Sequence, residues 1–356
     1  MKNRSQSDLG DLAKLSMPSH ELEPHPARRP GAQGGATVRL ADTVYFIASH
    51  ANPSQIARLA RACLSSGNPR SRVLIHHNRD VTQLDPALVL PLGNVDLLPQ
   101  HKGMNRESFA SCQMLLGAID WVLDHADVEW IVNLSGQDYP IKPVAEMERY
   151  LATTPYDGFV LAKPVEQCQW HTGIGRYYYR YRDLPKVRGV GRLRGMLRRQ
   201  QRAQIDRGNL YPRFAIPGNR HGPRKIGVRP YRLPFNREMR CYFGSAWWTL
   251  NRRALESMSR TIRRRPDLVR HYQQSLWAPT ESFFATLVLN DPSLNICTTT
   301  DRRFISWSNP QSGRPDMLTI GDWDRLMGSE AFFARKIDGS ATPDLLDRLD
   351  RHIGIT

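Results

Sequence analysis

Between residues 43 and 78 the apolar pattern changes period twice, and that alternation restricts the fold more than any other feature of the chain. TVYFIASH (43–50) is a β-branched and aromatic run that suits a buried strand. Pro53-Ser54 then opens a helix whose Ile56, Leu59, Ala60, Cys63 and Leu64 fall at helical spacing, and SRVLIHHN (71–78) returns to a strand. This is a β-α-β unit with parallel strands. NVDLLPQ (94–100) predicts a third short strand. Asn105 is the expected cap of a helix that puts Phe109, Cys112, Leu116, Ile119 and Leu123 on one face, and EWIVNLSG (129–136) comes back to the sheet. The pattern predicts an α/β fold with a central, mostly parallel sheet. Its ligand crevice is expected at the carboxyl ends of the strands, with His50, His76 to Asn78, and Gln137 to Lys142 along one rim.

Residues 1–38 are rich in Ser, Pro, Gly, Arg and His and read as a flexible tail. The domain is expected to run from 39 to 342, with 343–356 as a C-terminal extension. Residues 184–240 break the alternation: dense in Arg, Gly and Pro with scarcely an acid, they read as a basic insertion holding one helix near 188–206. Regular structure resumes at YFGSAWWTLNRRALESMSR (242–260), a strand leading into a helix. WAPTESFFATLVLN (277–290) predicts a further helix with Phe283, Leu287 and Leu289 on its apolar side, and RFISWSN (303–309) a last β-rich stretch.

Fifty Lys and Arg against 34 acids give a formal charge of +16, which implies attraction to nucleic acid, acidic lipid or phosphorylated substrates without choosing among them. No zinc-finger, RRM or KH pattern supports nucleic acid. The five cysteines, scattered and never in a CxxC pair, suggest neither a disulfide framework nor a zinc site, and a reducing compartment fits. No apolar run resembles a signal peptide or reaches the ~18 to 20 residues of a membrane span, so a cytoplasmic or peripheral protein is expected.

Four places carry chemistry. Asp138 lies just beyond a strand end, before Tyr139-Pro140, and is either a pocket carboxylate or the acceptor of an Asx-type turn. Glu281, after Pro279-Thr280, either complements a helix dipole or aims a general base into a cleft. Arg335 and Lys336 in FFARKIDG, with Arg314 upstream, suit a diphosphate as well as they suit an ordinary basic surface. Asp322-Trp323-Asp324 has the look of a metal-binding DxD, but in IGDWDRLMGS Asp322 reads more naturally as a helix N-cap. HExxH, GxSxG, a P-loop and a GxGxxG after the first strand are absent, which weakens protease, hydrolase, kinase and dehydrogenase readings.

Taken in order, VYFIASHANPSQIARLARAC, VLIHHN, IVNLSGQDYPIK, YFGSAWWTLNRRALE, PTESFFATLVLN and FFARKID resemble the core-2/I-branching β-1,6-N-acetylglucosaminyltransferases and peptide O-xylosyltransferases of glycosyltransferase family 14. The resemblance spans about residues 43–340 and implies a GT-A-type fold. It also implies inverting, metal-independent transfer of GlcNAc or xylose from a UDP-sugar to a hydroxyl of a glycan or lipid-linked glycan. By the same resemblance Glu281 matches the base, with Asp138 second. Lys336, Arg335 and Arg314 match the basic groups at the diphosphate, His50 and Asn78 fall where the uridine is held, and Trp307 and Trp247 match acceptor-binding aromatics. Asn78 stands where relatives commonly carry Asp. The relatives' luminal cysteines and N-terminal anchor are missing, so the resemblance implies a bacterial-type cytoplasmic member; separately, the Arg run from Arg188 to Arg202 leads to the expectation that the basic insertion rests on an anionic membrane at the inner face.

Overall fold

The computed structural model describes residues 39–99, 108–184, 190–217, 225–274, 278–309 and 314–355. Strand β1 (Thr43–Ser49) has no polar face: Val44 and Phe46 face one apolar layer, Tyr45 and Ile47 the other, and all four are fully buried. A strand of that kind needs helices on both sides. It pairs in parallel with β2 (Arg72–His77), which pairs in parallel with β3 (Val95–Leu97), and on its other edge with β4 (Trp130–Ser135), also parallel. β5 (Tyr139–Pro140) follows β4 after three residues and leaves this sheet for another. The remaining strands are β6 (Gly158–Phe159), β7 (Ala162–Pro164), β8 (Arg180–Asp183), β9 (Phe214–Ala215), β10 (Lys225–Val228), β11 (Tyr242–Gly244), β12 (Thr249–Asn251), β13 (Ile296–Cys297), β14 (Arg303–Ile305) and β15 (Phe333–Arg335).

The central sheet runs β13-β6-β12-β4-β1-β2-β3. It is mixed yet mostly parallel, as expected: only β12 is reversed, antiparallel to both β4 and β6. The helices Ala110–His125, Arg252–Arg264 and Phe283–Leu289 cover one face; Pro53–Cys63, Val144–Thr153 and Pro343–Ile353 cover the other. The last of these is a correction to the reading of 343–356 as an extension. Leu345, Leu346, Leu349 and Ile353 are buried in the core, and Asp347 and Asp350 bind Arg58 at 2.6 and 2.7 Å. In the helix Ala110–His125 the core positions are Cys112, Leu115, Ile119 and Val122, while Leu116 and Leu123 are only half-buried. The expected cap Asn105, the tail 1–38 and Trp277 lie outside the described residues.

Beside the central sheet stands the antiparallel pair β11-β7, and two three-stranded sheets complete the described fold. One, β14-β15-β5, lies against the end of β4. The other, β8-β10-β9, takes β9 and β10 from inside the expected insertion and β8 from just before it; with the helix Val190–Asp206 this makes the insertion more ordered than long loops around one helix. The chain order reverses between β2-β1 and β4, and in open α/β sheets ligands bind outside the carboxyl ends of the strands at such a switch point. Among the described residues no helix is long and apolar enough to cross a membrane.

Candidate active site

The turn after β4 is built around Asp138. Its carboxylate accepts from the Ser135 amide at 2.7 Å and the Ser135 hydroxyl at 2.5 Å through one oxygen, and from the Arg303 guanidinium at 2.6 Å through the other. The side chain is wholly buried. Arg303 spends a further N–H on the Asn133 carbonyl at 2.8 Å, so the turn, β4 and β14 are locked together. Arg335 approaches Asp138 at 3.9 Å, and the guanidinium groups of Arg303 and Arg335 lie 4.9 and 4.1 Å from the centre of the Trp247 ring. Two cations against one electron-rich ring with a shared carboxylate make a compact cluster.

Gln55 fastens this turn to its neighbour. Its amide N–H groups reach the carbonyls of Gly136 and Ile337, both at 2.9 Å, and its oxygen accepts from the Gly339 amide at 2.7 Å. The Ile337 amide in turn donates to the Gln137 carbonyl at 3.0 Å. Asn52, in the left-handed region that Asn tolerates, donates to Asp338 at 3.1 Å. Segment 336–340 is thereby held beside 136–138 at the mouth of β1 and β4. Lys336 is half-buried there, its amide bonded to the Asp316 carbonyl and its carbonyl to the Leu318 amide. Arg314 is exposed two residues from Asp316, whose carboxylate accepts from Ser306 at 2.8 Å and from the Ser308 amide and hydroxyl, both at 2.6 Å. Trp307, half-buried, lies between those two serines. One loop system therefore gathers Lys336, Arg314 and Trp307.

Glu281 occupies a different wall. It ends the 3₁₀ turn Pro279–Glu281, and its carboxylate meets Arg176 at 2.5 Å; the Glu281 side chain is 20% exposed and that of Arg176 2%. The Arg176 guanidinium rests over the Tyr177 and Phe243 rings. Burial alone would lower the affinity of Arg176 for its proton, but Tyr177 and Glu281 outweigh it and hold the group firmly cationic. Ser282 explains the placement of the turn. Its hydroxyl donates to the Tyr242 carbonyl at 2.5 Å and lies 2.6 Å from the Tyr272 hydroxyl, while Phe283 and Phe284 enter the core. Phe243 beneath Arg176 and Trp247 beneath Arg335 are four residues apart, a span of at most ~14 Å of extended chain. The aromatic supports of the two walls are therefore close neighbours along one stretch of chain.

His50 is exposed at the end of β1, and Asn78 closes an Asx turn onto the Asp80 amide at 3.1 Å while its own amide donates to Ser49 at 2.8 Å. Between them the buried His77 bridges the hydroxyls of Ser49 and Thr82, both at 2.9 Å, and burial lowers its basicity. Asp322 stands at the N-cap position of the helix Trp323–Met327, but its carboxylate turns back as the capping-box partner of Thr319, which caps the preceding 3₁₀ turn, and binds Arg325 at 2.8 Å. Lys142 stands over the Phe332 ring at 5.9 Å. Among the described residues no three His, Cys, Asp or Glu side chains gather as a metal site.

Arg176, Arg303 and Gln55 were not among the sequence candidates. Arg303 and Arg176 border apolar or aromatic stretches, RFISW and GRYYYR, and a cation beside such a stretch is a signal, weakened here by the neighbouring Arg302 and Arg180, that points to a buried partner.

Residues 214–327 match the family model of the Core-2/I-Branching enzymes. Among curated proteins the chain is 24% identical to the beta-glucuronosyltransferase GlcAT14B of Arabidopsis thaliana over 228 residues, 64% of this chain and 44% of that protein. It is 22% identical to GlcAT14A of the same plant over 318 residues, 86% of this chain and 63% of that one. To human xylosyltransferase 1 it is 22% identical over 258 residues, 68% of this chain and 22% of the relative. The chain therefore spans less than two thirds of each of these relatives. A solved structure of the galactosyltransferase LgtC with donor and acceptor sugar analogues aligns over 87% of this chain and 95% of its own, at 10% identity and a TM-score of 0.33, too low to bear on the fold.

Proposed function

Since the chain is a distant member of the Core-2/I-branching glycosyltransferase family, we propose that it is an inverting, GT-A-like transferase that passes a sugar from a UDP-sugar to a hydroxyl of a glycan acceptor. The observation that supports it most is the Glu281–Arg176 pair: a carboxylate at the rim, one fifth exposed, held in a fixed direction by a buried cation. In this reading Glu281 takes the proton of the acceptor hydroxyl as its oxygen attacks the anomeric carbon. The bond from that carbon to the UDP oxygen breaks on the opposite side, UDP leaves, and the configuration inverts to a β linkage.

Lys336 and Arg314 meet the diphosphate and stabilise the charge that develops on it, in place of a metal ion. Arg335, only 6% exposed and stacked on Trp247, supports them from behind. Asp138 acts as a positioning residue and not as the base, since its carboxylate is buried with both oxygens engaged. Trp247 is the platform of the cationic cluster, which leaves Trp307 as the aromatic for the acceptor sugar. His50 and the Asn78 turn border the uridine.

The names of the relatives add a glucuronosyl donor to GlcNAc and xylose. Thermal shift and UDP release measured in EDTA with UDP-GlcNAc, UDP-xylose and UDP-glucuronic acid test the reading. One donor is expected to stabilise the protein, by ~3 kcal/mol at a hundredfold excess over its Kd, and to release UDP. Binding of none of them without metal would overturn the assignment of Lys336 and Arg314.

A further inference from the structure

The helix Val190–Asp206 is turned inside out. On its inward side the buried Arg194 donates to the Pro217 carbonyl at 2.7 Å, and the buried Gln201 accepts from the Ile216 amide at 2.6 Å. Hydrogen bonds, rather than an apolar stripe, fix this helix to the domain. Leu193 and Met196, three residues apart and so adjacent on the surface, are 51% and 47% exposed. Arg192 and Arg199 flank them, Arg198 and Arg202 lie on the helix's other side, all four exposed, and Asp206 is the helix's one acid.

The adjoining sheet repeats the inversion. Register places Phe214, Val228 and Arg180 on one rung, hence on one face, and all three are exposed; the neighbouring rung buries Gly227 and Ala215. Tyr231, just beyond β10, is fully exposed.

Exposed aliphatic side chains flanked by arginines are complementary to an anionic bilayer surface, where the apolar groups enter the acyl boundary and the guanidinium groups meet phosphates. A nucleic acid would use the arginines but would gain nothing from Leu193, Met196 or Val228. We propose that this insertion is a membrane-docking surface for anionic lipid, with the helix Val190–Asp206 lying in the plane of the interface.

The test uses the full chain and vesicles of phosphatidylcholine with or without phosphatidylglycerol, sedimented at physiological salt. Binding is expected only where phosphatidylglycerol is present. It should fall about tenfold or more in Leu193→Ser/Met196→Ser, which removes buried apolar area, and about as far in Arg192→Gln/Arg199→Gln, which removes two cations. Both pairs are exposed, so the melting temperature and UDP-sugar binding should not change. Equal binding to both vesicle types would overturn the proposal, as would undiminished binding by the serine variant. So would a mobility shift on single-stranded RNA at protein concentrations below those needed for vesicle binding.

Discussion

Arg176 does two things for Glu281: it neutralises a carboxylate that is four-fifths buried, and it fixes which oxygen points outward. Arg176→Met should lower stability by about 2–4 kcal/mol, since removing one partner strands a partly buried charge, and should reduce kcat more than it raises KM. Arg176→Lys should recover part of both losses, because the charge survives and the planar fork does not. A merely structural Arg176 would lose stability with kcat unchanged. His271 is the other residue with a measurable signature. Its Nε2–H donates to the Tyr177 carbonyl at 2.5 Å, and burial lowers its pKa to about 4 from an ordinary 6.5. The native ring stays neutral where the unfolded one is protonated, so stability is lost as pH falls from about 6.5 towards about 4, by up to roughly 3 kcal/mol. Denaturant melts across that window should show the slope, and His271→Gln, which keeps the donor without the titration, should flatten it.

At the scale of elements, the site depends on loops held by side chains rather than by strand pairing. Gln55 alone satisfies two carbonyls and an amide from two loops. Gln55→Leu should cost about 3 kcal/mol, from groups left without partners at ~1 kcal/mol or more each, and should weaken UDP-sugar binding measured by calorimetry, because segment 336–340 is then held to 136–138 by the Ile337–Gln137 backbone bond without the side-chain clamp. Unchanged affinity in a destabilised variant would separate the clamp from the donor site. Local sequence foresaw some of this and not the rest. β1, β2 and β4 were legible to within a residue because strands buried on both faces are continuous apolar runs. The inversion of β12 was not, since three residues carry no record of strand direction. Glu281 and Asp138 could be singled out from their turns. Their partners could not, for Arg176 lies 105 residues from Glu281 and Arg303 lies 165 from Asp138, and pairing over such distances leaves no local pattern.

For the whole molecule, the positive charge divides into two uses. A few cations are buried at the switch point of the sheet with carboxylate or aromatic partners, and many are exposed on the inverted helix and sheet of the insertion. In the proposed account the first group serves the transfer chemistry and the second docking, and mutation is expected to separate the two. The central claim rests on one carboxylate. Glu281→Gln keeps the size and the hydrogen-bonding reach of the side chain while removing its ability to take a proton. Measured beside the unaltered protein with the donor that the UDP-sugar panel selects, it should lower UDP release by ~10²- to 10⁴-fold with the donor Kd unchanged. Release at the unaltered rate would remove Glu281 from the chemistry, and an equal loss of binding and turnover would make it structural.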